Sequence, residues 1–378
     1  MNSIAYFLFF SKYCFFFFIA LMGINFLIAF HELGHFLFCK LFGIKAPTFS
    51  IGMGPFIFSK KIGDTIFGLA QFPLGGYVEI AGLEEIGQGE QKNAKLKGSQ
   101  AFSEKPFWQK LLVLSGGIIF NIIFAYVAIT ATFMIGLPKS PLAYPYNAST
   151  TIDTILADSP AEKAGLSTND CITHFNGTPL TNTKDFLDYM YNNPNKSLSV
   201  TIKRSNKKNF DIILPIQAKQ HFGKEVGSLG ILFTTKETSF PGIKNAIQLG
   251  FSLANDCIIK TAQAFKALFT FQGTQSAGGP IAILKASTQT AQKGITSFLL
   301  LLSFISINLA VFNLLPLPIL DGGQILFASI EAAIQKPLNE KIKEYIHIAS
   351  WACMLVLIVF LSARDIYKLF EPIIQKIF

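Results

Sequence analysis

Charge is scarce in this chain: only 15% of its 378 residues are Asp, Glu, Lys or Arg, where a soluble domain carries about a quarter. Paired cysteine motifs are missing as well. Cys14, Cys39, Cys171, Cys257 and Cys353 follow no framework spacing and include no Cys-x-x-Cys, which excludes a disulfide scaffold and a thiolate zinc ribbon. Acidic residues are the minority, leaving a net charge of +9. The basic residues are scattered among apolar runs rather than gathered on a stripe, so the excess does not form a nucleic-acid footprint. No internal repeat is visible, and this counts against a transporter built from duplicated halves.

What is abundant is apolar surface: 51% of residues are hydrophobic, 39 of them Phe, and mean hydropathy is +0.43. Cores stop growing with chain length and cannot hide that much, so a bilayer must cover the remainder. Four stretches approach the ~20 apolar residues a span needs: Tyr13–Cys39, Leu111–Leu137, Ser297–Leu315 and Ile346–Ala363. The first is too long for a signal-peptide core and lacks a small-residue exit, so it is expected to stay attached. A fifth stretch, Ile243–Phe271, repeats Ile258, Ala262, Phe265 and Phe269 at helical spacing among polar residues, the pattern of an amphipathic interfacial helix. Lysine placement sets the orientation. Nine lysines lie between Lys40 and Lys110 and three more at Lys336, Lys341 and Lys343, against Lys12, Arg364, Lys368 and Lys376 near the termini. By the positive-inside rule both loops are cytoplasmic, and both termini, with the segment from Pro138 to Gly294, lie outside.

Within the first loop, Phe49, Ile51 and Met53, then Phe56–Phe58, a turn near Gly63-Asp64 and Ile66–Leu69 read as a hairpin. Its faces are apolar enough to dip into the interface, with Gly75-Gly76 as a flexible exit and Gln88–Gly98 as a polar, mobile connection. Beyond the second span, Ile152–Leu156, Cys171–Phe175, Leu198–Ile202 and Phe210–Leu214 read as strands, with Lys207-Lys208 in a hairpin turn. Pro160–Gly165 and Thr183–Tyr191 read as helices. Ser159–Leu166, Asn169-Asp170-Cys171-Ile172 and Asn176-Gly177 resemble a bacterial PDZ domain, with Asn169 where that family usually has glycine.

His31-Glu32-Leu33-Gly34-His35 places His-Glu-x-x-His inside the first apolar run. Helical residues four apart differ by about 40° around the axis and about 6 Å along it, so both imidazoles can reach one cation with Glu32 beside it as a general base. One ionisable group at the bilayer centre costs about 2.5–3.5 kcal/mol on insertion scales, and such groups mark functional sites. Structural-type Zn²⁺ binding, on the order of 10 kcal/mol, would compensate. The rival reading is neutral histidines hydrogen-bonded to a neighbouring span. A catalytic zinc usually has three protein ligands, and Asp321 is the other carboxylate in a suitable setting. Pro316 and Pro318 must break the third span ahead of it, and broken backbone at membrane depth is tolerated where it lines a cavity. The rival reading of Asp321 is an N-cap for a helix Gly322–Ile334, a role that can coexist with metal binding. Asn121 and Asn308 read as interhelical hydrogen-bonding residues before substrate contacts; His174, His221 and His347 lack partners at ligand spacing.

Together these motifs resemble the site-2 protease family of intramembrane zinc metalloproteases, specifically its bacterial RseP/RasP group. The likeness rests on His-Glu-x-x-His, Pro73-Leu74-Gly75-Gly76-Tyr77-Val78, Gly117-x-x-x-Asn121, the PDZ-like segment, Gly279-Pro280-Ile281 and Asn313-x-x-Pro-x-Pro-x-Leu-Asp-Gly. It implies His31, His35 and Asp321 as zinc ligands, Glu32 as the catalytic glutamate, Asn313 as a substrate or oxyanion contact, and a hairpin at about Phe49–Leu69 that pairs with substrate backbone. Some relatives carry two PDZ repeats where one is found here, and Gln324 stands where some have histidine.

The expected fold is a polytopic α-helical membrane protein with four transmembrane helices, a membrane-associated β-hairpin and an inserted α+β PDZ domain. Its divisions are a first membrane half at 1–137, the PDZ domain at 146–218, an interfacial helix and linker at 241–290 and a second membrane half at 291–378. The expected function is regulated intramembrane proteolysis of membrane-spanning substrates, anti-sigma factors or signal-peptide remnants, in the bacterial inner membrane, with Zn²⁺ as cofactor and no nucleic acid as partner. The alternative is an idle membrane scaffold whose PDZ domain binds peptide ends. The lysine bias has a direct test: single cysteines at Lys95 and Lys341 should resist an impermeant thiol reagent in intact cells while one at Asn193 reacts, and labelling at Lys95 would invert the orientation.

Overall fold

A computed structural model describes residues 3–83, 96–205, 209–221, 224–268 and 278–374. Within these, four helices are long and apolar enough to cross a membrane: Phe10–Leu41, Gly116–Ile135, Ile295–Asn313 and Glu340–Lys368. The chain divides into two compact units. One holds residues up to Ala128, residues Cys257–Ala262 and the described residues from 278 onward; the other holds Ile129–Asp256 with 263–268.

In the first unit, helix α1 (Ser3–Leu41) is apolar on every side, as expected of a segment that turns towards lipid and neighbouring helices rather than water. Helix α2 (Phe107–Leu114) is followed at once by α3 (Gly116–Ile135). Their junction meets α1 at a close crossing, where a Cβ on Gly34 would lie 2.2 Å from the Gly116 carbonyl oxygen. Contacts of this kind, made by small residues, replace the missing hydrophobic force between helices in lipid. Ala20, Leu27, Phe298 and Leu302 form a second seam, joined by Ala291.

Strands β1 (Thr48–Ile62) and β2 (Thr65–Glu79) are far longer than the expected hairpin and fold back on themselves. Ile62 pairs with Thr65 across the Gly63-Asp64 turn. Thr48–Ile51 lies beside Ile66–Leu69 on one flank and Gly76–Glu79 on the other. β1 makes this return by bending at Gly52 and Gly54, whose φ values of 87° and 92° suit glycine. The result is a small sheet of four short segments, in which Gly76–Glu79 is an outer edge. Gly75-Gly76 is therefore strand, not the flexible exit the composition suggested, because Gly76 pairs with Ile51. Ile57, Phe58, Ile62 and Phe72 are largely exposed, in keeping with the apolar faces read from the sequence.

The second unit holds a sheet in the order β10-β3-β4-β6-β7, with β5 beside β4 and a separate β8–β9 hairpin. Its strands are β3 (Ala148–Ile155), β4 (Cys171–Phe175), β5 (Thr178–Pro179), β6 (Ser197–Lys203), β7 (Phe210–Pro215), β8 (Gln217–His221), β9 (Lys224–Ser228) and β10 (Ile231–Thr235). Two helices complete it: α4 (Pro160–Lys163), capped by the Ser159 hydroxyl, and α5 (Thr183–Asn192), capped by the Asn182 side chain. Phe186, Ile152, Ile172, Leu198, Ile202 and Leu214 are fully buried between them. Asn169 adopts φ +70°, a conformation asparagine tolerates better than most residues, so it serves where glycine is usual. The expected end at 218 is too early. β10 pairs with β3, and Leu229, Ile231 and Phe233 belong to the same core. The intervening β8–β9 residues are polar and lack an alternating pattern, so the sequence signal lapses before the sheet is complete.

Helix α6 (Ile243–Leu268) covers most of the predicted amphipathic stretch; Phe269 lies outside the described residues, as do 88–95 and Lys207-Lys208. Helix α7 (Pro280–Ala291) packs on α1 and α8 (Ile295–Asn313), so this part of the expected 241–290 linker is a helix of the first compact unit. Helices α9 (Asp321–Ile334) and α10 (Glu340–Ile374) follow. The crossing at Gly34 yields a prediction. Gly34→Leu must drive α1 away from the α2–α3 junction, and overpacking of this kind costs about 1–3 kcal/mol. A thermal-aggregation midpoint several degrees lower in detergent is expected, and an unchanged midpoint would show that the crossing bears no load.

Candidate metal centre

The proline-broken end of α8 sets the site's geometry. α8 stops at Asn313, the chain turns through Leu314–Leu320, and α9 starts at Asp321. The N-cap of α9 is Leu320, and Asp321 is the first helical residue. The capping role considered for Asp321 is thus not the one it plays; its carboxylate turns instead to α1.

His31 Nε2 is 3.3 Å and His35 Nε2 3.6 Å from Asp321 Oδ2, and the two imidazole nitrogens are 3.2 Å apart. One ligand atom from each residue lies within 4.8 Å of the others. Ligand bonds of about 2.0–2.1 Å in a tetrahedron put donor atoms roughly 3.3–3.4 Å apart, so this spacing suits a zinc-sized cation without rearrangement. Both histidines are buried. His35 Nδ1 lies 2.8 Å from the Val113 carbonyl oxygen, which can only accept. That nitrogen therefore carries the proton, and Nε2 offers its lone pair to the cluster.

The three residues line a cavity of about 290 Å³ together with Glu32, Asn121, Asn313, Val78, Ile80 and surrounding aliphatic side chains. Asn313 Nδ2 lies 3.5 Å from His31 Nε2. The edge segment of β2 adjoins the cavity: Val78 lines it, and Gly76 lies close to Ile28 and Glu32 of α1. On α1, the Asn25 amide donates to the Pro73 carbonyl oxygen and fixes the start of that segment. The edge nearest the site is thus Gly76–Val78, beyond the Phe49–Leu69 hairpin to which substrate pairing was ascribed.

All five predicted site residues meet in one cavity. Two residues named in the sequence have partners that spacing does not show. Asn121 Nδ2 is 3.0 Å from His31 Nδ1, so its partner is a candidate ligand rather than simply another helix. His347 also has a partner: Gln324 Nε2 lies 2.7 Å from its Nε2 and donates to the Pro318 carbonyl 3.0 Å away. Gln324 thereby braces the turn ahead of Asp321 against α10. Spacing could not reveal either pair, since the partners are 90 and 23 residues apart. Asn308, by contrast, is exposed, and the His174 ring nitrogen meets the neighbouring Thr173 hydroxyl.

Two buried imidazoles and a half-buried carboxylate, with a second carboxylate in the cavity wall, form the donor class of a metallopeptidase. The model of Peptidase family M50 matches residues 17–357, and the chain belongs to that family. It is 27% identical to the regulator of sigma-W protease RasP of Bacillus subtilis, over 91% of this chain and 96% of the relative. Identity to Cj1068 of Campylobacter jejuni is 31% over 92% of each chain. The zinc metalloprotease RasP of Bacillus licheniformis is 26% identical over 91% of this chain and 97% of its own.

The Asn25–Pro73 link has a measurable role. Asn25→Leu leaves a carbonyl at the edge segment unpartnered, at a cost of about 1–1.5 kcal/mol. Hydrogen exchange in residues 73–80 should accelerate about tenfold, with the second unit unaffected; unchanged exchange would assign the restraint elsewhere.

Proposed function

We propose that this peptidase is an intramembrane zinc metalloendopeptidase that cleaves single-span membrane substrates by regulated intramembrane proteolysis. The observation that carries the reading is the cluster of His31, His35 and Asp321 ligand atoms within 4.8 Å, with both histidines inside a membrane-length apolar helix and Asp321 just after another. His31, His35 and Asp321 would hold Zn²⁺, and the ion, when bound, supplies a Lewis acid for the scissile carbonyl and lowers the pKa of water. Glu32 takes the proton from the attacking water on a carboxylate oxygen and delivers it to the leaving amine nitrogen. Asn313 Nδ2 donates to the carbonyl oxygen as that atom gains negative charge. Val78 and Ile80 form an apolar wall that limits water to what the reaction consumes.

A substrate helix must be unwound before this chemistry, because its peptide bonds are occupied by their own hydrogen bonds. The edge at Gly76–Val78 offers strand addition for that purpose, holding an extended segment across the cavity mouth. In the proposed setting the enzyme lies in the bacterial inner membrane, with the β1–β2 sheet on the cytoplasmic side and the termini and PDZ-like unit outside. Anti-sigma factors or signal-peptide remnants are the substrate classes that fit.

The test is zinc stoichiometry together with cleavage of a panel of single-span substrates in detergent. Wild type should bind about one zinc per chain and lose activity with chelator. Glu32→Gln should keep the metal and lose at least about a hundredfold in rate. His31→Ala and Asp321→Asn should lose both metal and cleavage. Full zinc occupancy in Asp321→Asn would remove that residue from the ligand set, and unimpaired turnover by Glu32→Gln would remove the proton-transfer role.

A further inference from the structure

We propose that Asn121 is a positioning residue that fixes the tautomer of His31, making its cavity-side nitrogen a ligand. The inference rests on the zinc reading above and adds the group that prepares one of the donors.

For a cation to sit between His31, His35 and Asp321, both imidazoles must turn an Nε2 lone pair towards it, and each neutral ring then carries its proton on Nδ1. His35 meets the condition through the Val113 carbonyl, an obligate acceptor 2.8 Å from its Nδ1. Among the described residues, no such carbonyl meets His31 Nδ1. Its Nδ1 faces the side-chain amide of Asn121 at 3.0 Å, and an amide can face a ring nitrogen with either of its two ends. With the NH₂ turned to Nδ1, the proton of His31 is forced onto Nε2, where it blocks coordination. With Oδ1 turned to Nδ1, the amide accepts the Nδ1 proton and the lone pair moves to Nε2. A half-turn of the amide exchanges the two ends at nearly the same positions. Asn121 Oδ1 has no hydrogen-bond partner among the described residues, so no competing bond to that oxygen opposes the half-turn.

The surroundings hold the amide against the ring. Asn121 is fully buried, as is Ser306 of α8, whose hydroxyl donates to the Asn121 backbone carbonyl at 2.9 Å. One turn earlier on α3, Gly117 lies flat against the imidazole, where a Cβ would come within 2.3–2.5 Å of three ring atoms. Gly117 lets the ring lie close to α3, and Asn121 meets its outer nitrogen. A single helix face thus sets both the position and the protonation pattern of His31, and this accounts for the Gly117-x-x-x-Asn121 spacing.

The test compares zinc affinity, by chelator competition, in wild type, Asn121→Leu and Asn121→Asp. Aspartate can only accept, so Asn121→Asp should bind zinc at least as tightly as wild type, within about threefold. Asn121→Leu should bind about ten to a hundred times more weakly, the range for loss of such a supporting group. Cobalt-substituted Asn121→Leu should show altered ligand-field bands, a readout independent of cleavage. Weaker binding in Asn121→Asp would mean the amide donates to His31 and would overturn the proposal, as would unaltered affinity in Asn121→Leu. Should either variant misfold, ¹⁵N-histidine spectra of the zinc-loaded wild type decide: a protonated His31 Nδ1 supports the assignment and an unprotonated one refutes it. A wild-type chain that binds no zinc would fail the metal reading itself, whereas normal wild-type binding with indifferent variants fails only the role of Asn121.

Discussion

The cost of placing two imidazoles and two carboxylates among apolar helices governs the rest of the membrane unit. One helical turn of α1 supplies His31, Glu32 and His35 but nothing to compensate them. The partner has to arrive from elsewhere in the chain, and lipid permits no irregular backbone except where protein surrounds it. The break at Pro316 and Pro318 meets both demands: it ends α8 beside α1 and starts α9 with Asp321 directed at the imidazoles. The Gly34–Gly116 crossing follows from the same need, since the Val113 carbonyl and Asn121 reach the two rings only if α2 and α3 come nearly into backbone contact with α1.

Several features were legible because they depend on local pattern. Apolar runs of membrane length announce themselves, and helical periodicity places residues i and i+4 on one face, so His31 and His35 could be paired on paper. Pro316 and Pro318 forced a break, which made Asp321 the carboxylate to watch. In the second unit, the Cys171–Phe175 strand was read with its observed ends because turn residues bracket it on both sides.

What escaped the sequence was pairing across distance. Asn121 reads as an ordinary polar residue in a span until α3 is seen against α1. Gln324 and His347 each look idle alone, and their bond becomes visible only once α10 returns past the start of α9. The β1–β2 sheet misled for a related reason: alternation predicts a strand but not how many neighbours it has, so Thr48–Ile51, flanked on both sides, reads the same as an edge. The polar β8–β9 hairpin interrupts a fold whose last strand, β10, is recognisable only by its partner.

The segment from Pro73 to Ala81 behaves as a beam clamped at both ends. At one end the Asn25 amide grips the Pro73 carbonyl. At the other, Ala81 donates to the Lys45 carbonyl and accepts from Phe102, at 2.9 and 2.8 Å. Between the clamps, Gly76–Glu79 is paired along one side with Thr48–Ile51, while Gly76 faces Glu32 of α1. An added strand would thus press on an edge that the neighbouring strand already backs, while the two ends keep its reach to the cavity constant. Stiffening the centre and loosening a clamp are mechanically opposite interventions, although both fall within nine consecutive residues.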